Sequence, residues 1–205
     1  MIVTAIEPDP RRPGSVRVLV EGRHFATVDR AAIAGLGSGH ALDASATERL
    51  AEAADVEAAY RTVLRALERR PHARADLGRR LVRRGLAPAA IEAALVRADQ
   101  AGLLDDQAFA RHYVATRAER GRGPARLARD LSSMGVARAS IDLAIAEQWP
   151  DDADRRAMPV ALAAKRAAQL RNLPRAVKRR RLLAYLARRG FTGREALDAV
   201  VGVLE

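Results

Sequence analysis

The chain contains no cysteine, which excludes disulfides and thiolate metal sites and suits a reducing compartment. Aromatic residues make up only 3% of its 205 residues, too few for a sheet-built core. No apolar run approaches the roughly eighteen residues that span a bilayer. The opening residues Met1 to Glu7 also lack the basic start and apolar stretch of an export signal. These absences predict a cytoplasmic chain with no membrane partner.

Catalytic signatures are missing as well. His24, His40, His72 and His112 fall in different elements without ligand-like spacing. There is no G-x-S-x-G, and Gly35-x-Gly37-x-Gly39 lacks the lysine and the strand-to-helix setting of a phosphate cradle. Asp105-Asp106 has no third carboxylate or histidine to complete a magnesium site, and reads as a helix N-cap followed by a favourable first-turn acid. The chain is therefore predicted not to be an enzyme and to carry no catalytic residue, metal or cofactor.

What is abundant is apolar and basic. Apolar residues reach 49%, enough for a real core, and alanine, leucine, arginine and glutamate dominate as they do in packed helices. The formal charge is +11, from 36 basic and 25 acidic residues. The first fifty residues balance, whereas Lys165 to Arg194 holds eleven positive residues and no acid. That asymmetry points to a polyanionic partner, although solvated helix faces rich in arginine produce the same count.

At the front, Val3 to Ile6, Val16 to Val20 and Phe25 to Val28 are β-branched or apolar runs separated by Pro8-Asp9-Pro10-Arg11-Arg12-Pro13-Gly14 and Glu21-Gly22. They predict a small antiparallel meander. Asp29 is placed to cap a short helix through Ile33, and Asp43 to open a helical stretch towards Leu67.

The body repeats. With Gly85, Gly135 and Gly190 in register, Leu77, Leu127 and Leu182 lie eight residues earlier, and Leu81, Leu131 and Leu186 four earlier. Leu86, Val136 and Phe191 follow directly, and Leu95, Ile145 and Val200 lie ten residues on. Leucines four apart share a helix face, and the glycine closes the helix in the left-handed conformation. A new helix starts two residues later in each case, with a Thr192-x-x-Glu195 capping box expected for the third. A further helix precedes each pair, at about Val56 to Arg69, Asp106 to Arg117 and Asp152 to Leu170. The prediction is a mainly α chain: a meander and short helix in residues 1–50, then three-helix repeats in 51–104, 105–150 and 151–205, stacked as an elongated, curved solenoid.

Candidate contacts follow from helix geometry. With Leu77 and Leu81 inward, Arg79 and Arg83 sit roughly 200 to 240° away on the outer face. Arg129 and Arg188 hold matching positions in the other repeats. Arg83, Arg84, Arg188 and Arg189 also fall in last helical turns, where positive charge complements the dipole. Lys178, Arg179, Arg180 and Arg181 open a helix and oppose its dipole, so phosphate or acidic side chains explain them better. Phe109 and Tyr113, four apart, read as core rather than as a stacking platform for bases.

The stretch Gly102-Leu103-Leu104-Asp105-Asp106, Phe109-Ala110, Tyr113, Arg117, Gly121-Arg122-Gly123-Pro124, Leu127, Leu131 and Gly135-Val136 closely resembles the signature of the RecX family, regulators of the RecA recombinase. Leu67-Glu68-Arg69-Arg70-Pro71 and Leu81-Val82-Arg83-Arg84-Gly85-Leu86 resemble that family's first repeat. The resemblance runs from about Val56 to Gln148, and the third repeat shares mainly the leucine and glycine framework. Two departures stand out. His72-Ala73-Arg74-Ala75 replaces the serine-like cap usual before the first central helix, and Met158-Pro159 interrupts the leading helix of the third repeat.

The resemblance implies a monomer that lies along the RecA filament on DNA and inhibits strand exchange, ATP hydrolysis and coprotease activity in DNA repair and the SOS response. Weak, salt-dependent contact with single- and double-stranded DNA is implied too. The residues expected to touch RecA or DNA are Arg79, Arg83, Arg122, Arg126, Arg129, Lys178, Arg179, Arg181 and Arg188. The competing reading is a helix-turn-helix transcription regulator. Its recognition helices, Pro88 to Ala98 and Ala139 to Gln148, are poor in base-reading side chains.

Overall fold

The computed structural model describes residues 1–205 except for the side chains of residues 152–155. The β-branched runs pair as one antiparallel meander, β1 (Val3–Pro8), β2 (Ser15–Val20) and β3 (Arg23–Asp29), in sequence order. Glu21 at φ 50° and Gly22 at φ 77° form the β2–β3 turn, with the two successive left-handed residues whose twist suits a hairpin. Val16, Val18, Val20, Ala26 and Val28 alternate into the core. The outer edge of β1 is closed by the following segment, through Val3 N–H to His40 O at 2.9 Å and Leu42 N–H to Met1 O at 2.7 Å.

Both predicted aspartate caps form. Asp29 Oδ1 accepts from Ala31 N–H at 2.7 Å and opens a 3-10 turn over Arg30–Ile33. Asp43 Oδ1 accepts from Ala46 N–H at 2.7 Å and opens α1 (Ala44–Leu67). This helix is unbroken and serves two cores. Leu50 packs under the sheet with Val3, Val18 and Val28. Ala59, Tyr60 and Val63 join Leu77, Leu81, Ile91 and Leu95 in the first repeat.

That repeat is completed by α2 (Arg74–Val82) and α3 (Pro88–Gln100). The second is α4 (Asp106–Ala118), α5 (Pro124–Met134) and α6 (Arg138–Gln148), where Val114, Leu127, Leu131, Ile141 and Ile145 are buried. The third is α7 (Asp152–Ala168), α8 (Arg175–Arg189) and α9 (Arg194–Leu204), around Ala163, Leu182, Leu186, Phe191 and Val200. Each fully buried leucine or phenylalanine contributes about 1.5–3 kcal/mol. The chain forms two compact units, Met1–Leu104 and Asp105–Glu205.

The glycine framework does what its spacing predicts. Gly85, Gly135 and Gly190 take φ of 78°, 84° and 95°. The next residue folds back in each case: Leu86, Val136 and Phe191 donate to the carbonyls of Leu81, Leu131 and Leu186 at 3.4, 3.1 and 3.0 Å. The same closure recurs at Gly102 and Gly121, where Leu103 donates to Ala98 O and Arg122 to Arg117 O.

Two local expectations are corrected. The Thr192–Glu195 capping box does not form, because Gly193 occupies the N-cap of α9 at φ 73°, ψ −151° and places Thr192 one residue too early. Met158-Pro159 does not interrupt its helix; α7 runs through Pro159, whose ring is buried and so offsets part of the lost backbone hydrogen bond. Among the described residues no helix is long and apolar enough to cross a membrane.

Candidate functional site

Inside the second unit, α5 and α8 meet end to end. Gly123 N–H donates to Arg189 O at 2.7 Å, and Ala125 N–H to Gly190 O at 3.2 Å, while Pro124 between them has no N–H to satisfy. The orphan donors that open α5 and the orphan carbonyls that close α8 thus satisfy each other, with dipole ends of opposite sign in contact. Only glycine permits this approach. A Cβ on Gly123 would stand 2.6 Å from Gly190 O, and one on Gly190 2.4 Å from Arg126 Cβ. Arg189 Nη1 completes the joint at 3.2 Å from the carbonyls of Arg120 and Gly121.

The joint gathers arginines from three helices. Arg117 and Arg120 at the end of α4, Arg122 before α5, Arg126 on α5, and Arg188 and Arg189 in the last turn of α8 line one depression of about 530 Å³. Asp130 is their counter-charge, with Oδ2 2.7 Å from Arg122 Nη1 and Oδ1 2.9 Å from Arg126 Nε. The Tyr113 hydroxyl also donates to Asp130 Oδ2, at 3.4 Å. Burial, and then the Asp130 charge, push the Tyr113 phenol up, so it keeps its proton and remains a donor.

Six arginines against one aspartate leave five net positive charges around the depression. Like charges so placed are stabilised by an incoming anion, and guanidinium forks match phosphate or carboxylate oxygens. A neighbouring groove shares Arg120 and Arg189 and is also lined by Leu162, Tyr185, Lys165 and Arg166. The Tyr185 ring lies 5.0 Å from the Arg189 guanidinium and 5.8 Å from that of Arg166.

Of the residues singled out from sequence, Arg122, Arg126 and Arg188 come together here. Arg129 is exposed on α5, and Lys178, Arg179 and Arg181 lie on the first half of α8; none of the four lines the depression. Arg79 and Arg83 are exposed at the end of α2 in the first unit, with Arg79 Nη2 3.5 Å from Asp76. Arg117, Arg120 and Arg189 are not among the contacts expected from sequence, although Arg117 stands in the family signature and Arg189 among the last-turn arginines. The usable signal was Gly121-x-Gly123 together with Gly190, glycines that mark a close approach rather than only a helix end. Asp105 is a cap, its Oδ1 accepting from Gln107 and Ala108 N–H at 2.9 and 2.8 Å.

Residues 59–97 match the first three-helix domain of RecX, and residues 105–145 the second. The chain is 44% identical over 90 residues to the regulatory protein RecX of Pseudomonas fluorescens (strain SBW25), an alignment covering 44% of this chain and 58% of that protein. It therefore spans little more than half the length of that relative. Identity to the RecX of Streptomyces coelicolor is 37% over 152 residues, covering 73% of this chain and 79% of the relative. A crystal structure of regulatory protein RecX has the same fold, with a TM-score of 0.80 at 22% identity over 98% of both chains. That of RecX from Lactobacillus salivarius gives 0.64 at 20% identity, over 73% of this chain and 96% of the other. The RecX of Halorhodospira halophila is 36% identical over 154 residues, which cover 73% of this chain and 90% of that protein, and the chain accordingly belongs to the RecX family of regulatory proteins.

Proposed function

We propose that this chain is a cytoplasmic regulator of the RecA recombinase, binding along the RecA nucleoprotein filament and lowering its strand exchange, ATP hydrolysis and coprotease activity. The supporting observation is the six-arginine depression of the second unit, in a chain whose relatives are named regulatory proteins. A filament of protein on DNA presents phosphates and carboxylates repeatedly, which suits guanidinium forks. Basic surfaces in more than one part of one chain turn weak contacts into avidity. Preferential binding to one filament state lowers activity by shifting the population towards that state.

The test is ATP hydrolysis by RecA on single-stranded DNA with the chain added. Inhibition is expected, and Arg120→Ala/Arg188→Ala should relieve it. A Lys178→Ala/Arg179→Ala/Arg181→Ala variant reports separately on the start of α8. Unchanged hydrolysis with the native chain would count against the reading.

A transcription regulator finds less support. α3 and α6 bury Ile91, Leu95, Ile141 and Ile145 within their own repeats and expose Glu92 and Asp142, acids that a DNA backbone repels.

A further inference from the structure

The first unit carries a second concave basic surface, built from other residues. Between the end of α1 and α2, a pocket of about 440 Å³ is lined by Arg65, Arg69, Arg70, Arg80 and Arg84 around His72, with Leu77 and Leu81 as an apolar wall. No carboxylate lines it. Among the described residues, Arg65, Arg69, Arg70 and Arg84 have no carboxylate within ion-pair distance. Five guanidinium groups facing a shared concavity repel one another until an anion enters.

His72 is the unusual member, being only 5% exposed. Its Nε2 lies 3.1 Å from Arg80 Nη1. A guanidinium only donates, so Nε2 accepts and the ring proton sits on Nδ1. Nδ1 is 3.5 Å from Asp76 Oδ2 and lacks a well-formed hydrogen bond. Burial lowers the pKa of His72, and the Arg70 and Arg80 charges lower it further against the opposing pull of Asp76. The pocket wall thus holds a neutral imidazole whose free donor is unsatisfied and whose acceptor seats an arginine.

We propose that this pocket binds a run of phosphate groups and that His72 takes up a proton as the site fills. The inference does not depend on the RecA reading. Phosphate oxygens among Arg65, Arg69, Arg80 and Arg84 reverse the local potential that disfavours imidazolium. A protonated Nε2 becomes a donor and no longer seats Arg80, which turns to the ligand. The charged groups around His72 are Arg65 and Arg69 from the end of α1, Arg70 from the loop, Asp76 and Arg80 from α2, and Arg84 just after it. Linkage is reciprocal: acid tightens anion binding to the extent that the anion favours protonation.

Isothermal titration calorimetry on the full chain tests this, with inorganic phosphate, tripolyphosphate and a short single-stranded oligodeoxynucleotide as probes. Repeating each titration in buffers of different ionisation enthalpy reads the protons taken up. Tripolyphosphate should bind more tightly as pH falls, with uptake of up to about one proton. Arg69→Ala/Arg84→Ala, both exposed positions, should weaken it about tenfold or more. His72→Gln should lose the imidazole's share of that uptake, leaving only the protons that the phosphate itself exchanges. In the Arg120→Ala/Arg188→Ala background, larger proton uptake and tighter binding with the oligonucleotide than with tripolyphosphate assign this pocket's phosphates to a nucleic-acid strand, and the reverse order to a free polyphosphate. Tripolyphosphate-linked proton uptake undiminished in Arg69→Ala/Arg84→Ala overturns the site, as does uptake by His72→Gln equal to that of the native chain. Arg120→Ala/Arg188→Ala, in the other unit, should leave this proton uptake intact, which separates failure here from failure of the RecA reading.

Discussion

Arg97 Nη1 stands 2.8 Å from Oε2 of Glu57, a carboxylate only 3% exposed. The other Glu57 oxygen accepts from the Ser15 hydroxyl at 2.6 Å, while Arg97 also pairs with Asp29 and lies 3.9 Å over the Tyr60 ring. Arg97 of α3 thereby joins Asp29 at the end of the sheet to Glu57 and Tyr60 of α1, and Glu57 is tied to the sheet a second time through Ser15. The meander belongs to the first unit's structure.

Removing this carboxylate should loosen the sheet and the first repeat together. Glu57→Ala leaves the Ser15 hydroxyl without its acceptor and Arg97 with Asp29 alone. The expected loss is about 2–3 kcal/mol, read as a lower midpoint in thermal or denaturant unfolding.

The glycine joint makes a sharper contrast. Gly85 and Gly190 close equivalent helices at φ 78° and 95°, yet a Cβ on Gly85 meets open space while one on Gly190 meets Arg126 at 2.4 Å. Gly85→Ala should cost about 1–2 kcal/mol, the left-handed penalty alone. Gly190→Ala should cost several kcal/mol more, because α5 must move, and should disperse the arginine depression. Equal unfolding midpoints for the two variants would contradict the close packing of these helices.

His72 sets the sign of a pH effect. Its pKa in the folded chain lies below the ordinary 6.5, so the unfolded chain takes up the proton first as pH falls. Its contribution to stability is full above about 6.5 and is lost progressively as pH drops towards the folded-state value. In phosphate-free buffer, denaturant unfolding of the native chain should show this decline, and His72→Gln should flatten it.

Asp130 is the brake on the second unit's charge. Arg122 and Arg126 are 38% and 43% exposed at their side chains, so each ion pair contributes at most about 1 kcal/mol. Asp130→Asn should therefore cost little stability and raise affinity for a single-stranded oligonucleotide severalfold. It should also lower the Tyr113 pKa in a spectroscopic titration, with burial keeping part of the rise.

The repeats were legible because leucine pairs and a closing glycine recur at fixed spacing, and Asp29, Asp43 and Asp105 are caps whose meaning is local. The arginine depression was not legible, since Arg117 and Arg120 meet Arg188 and Arg189 only through a tertiary joint between distant segments. The outward ridge of Arg79 and Arg83 was found from helix angles, whereas their neighbours Arg80 and Arg84 line a pocket with the end of α1 that no single helix wheel displays. The register itself held a further clue. Nine and five residues before each closing glycine stand Asp76 and Arg80, then Arg126 and Asp130, then Arg181 and Tyr185. The charge pair inverts between the first two repeats and loses its acid in the third, a change that hydrophobic periodicity does not register.

The depression's role as the polyanion contact is tested most directly by the salt dependence of single-stranded DNA binding, comparing the native chain with Arg120→Ala/Arg126→Ala/Arg188→Ala. Each lost phosphate contact should reduce the slope of log affinity against log salt by about 0.7, so the triple variant should bind more weakly with a slope shallower by about two. Identical affinity and slope for both proteins would contradict the account.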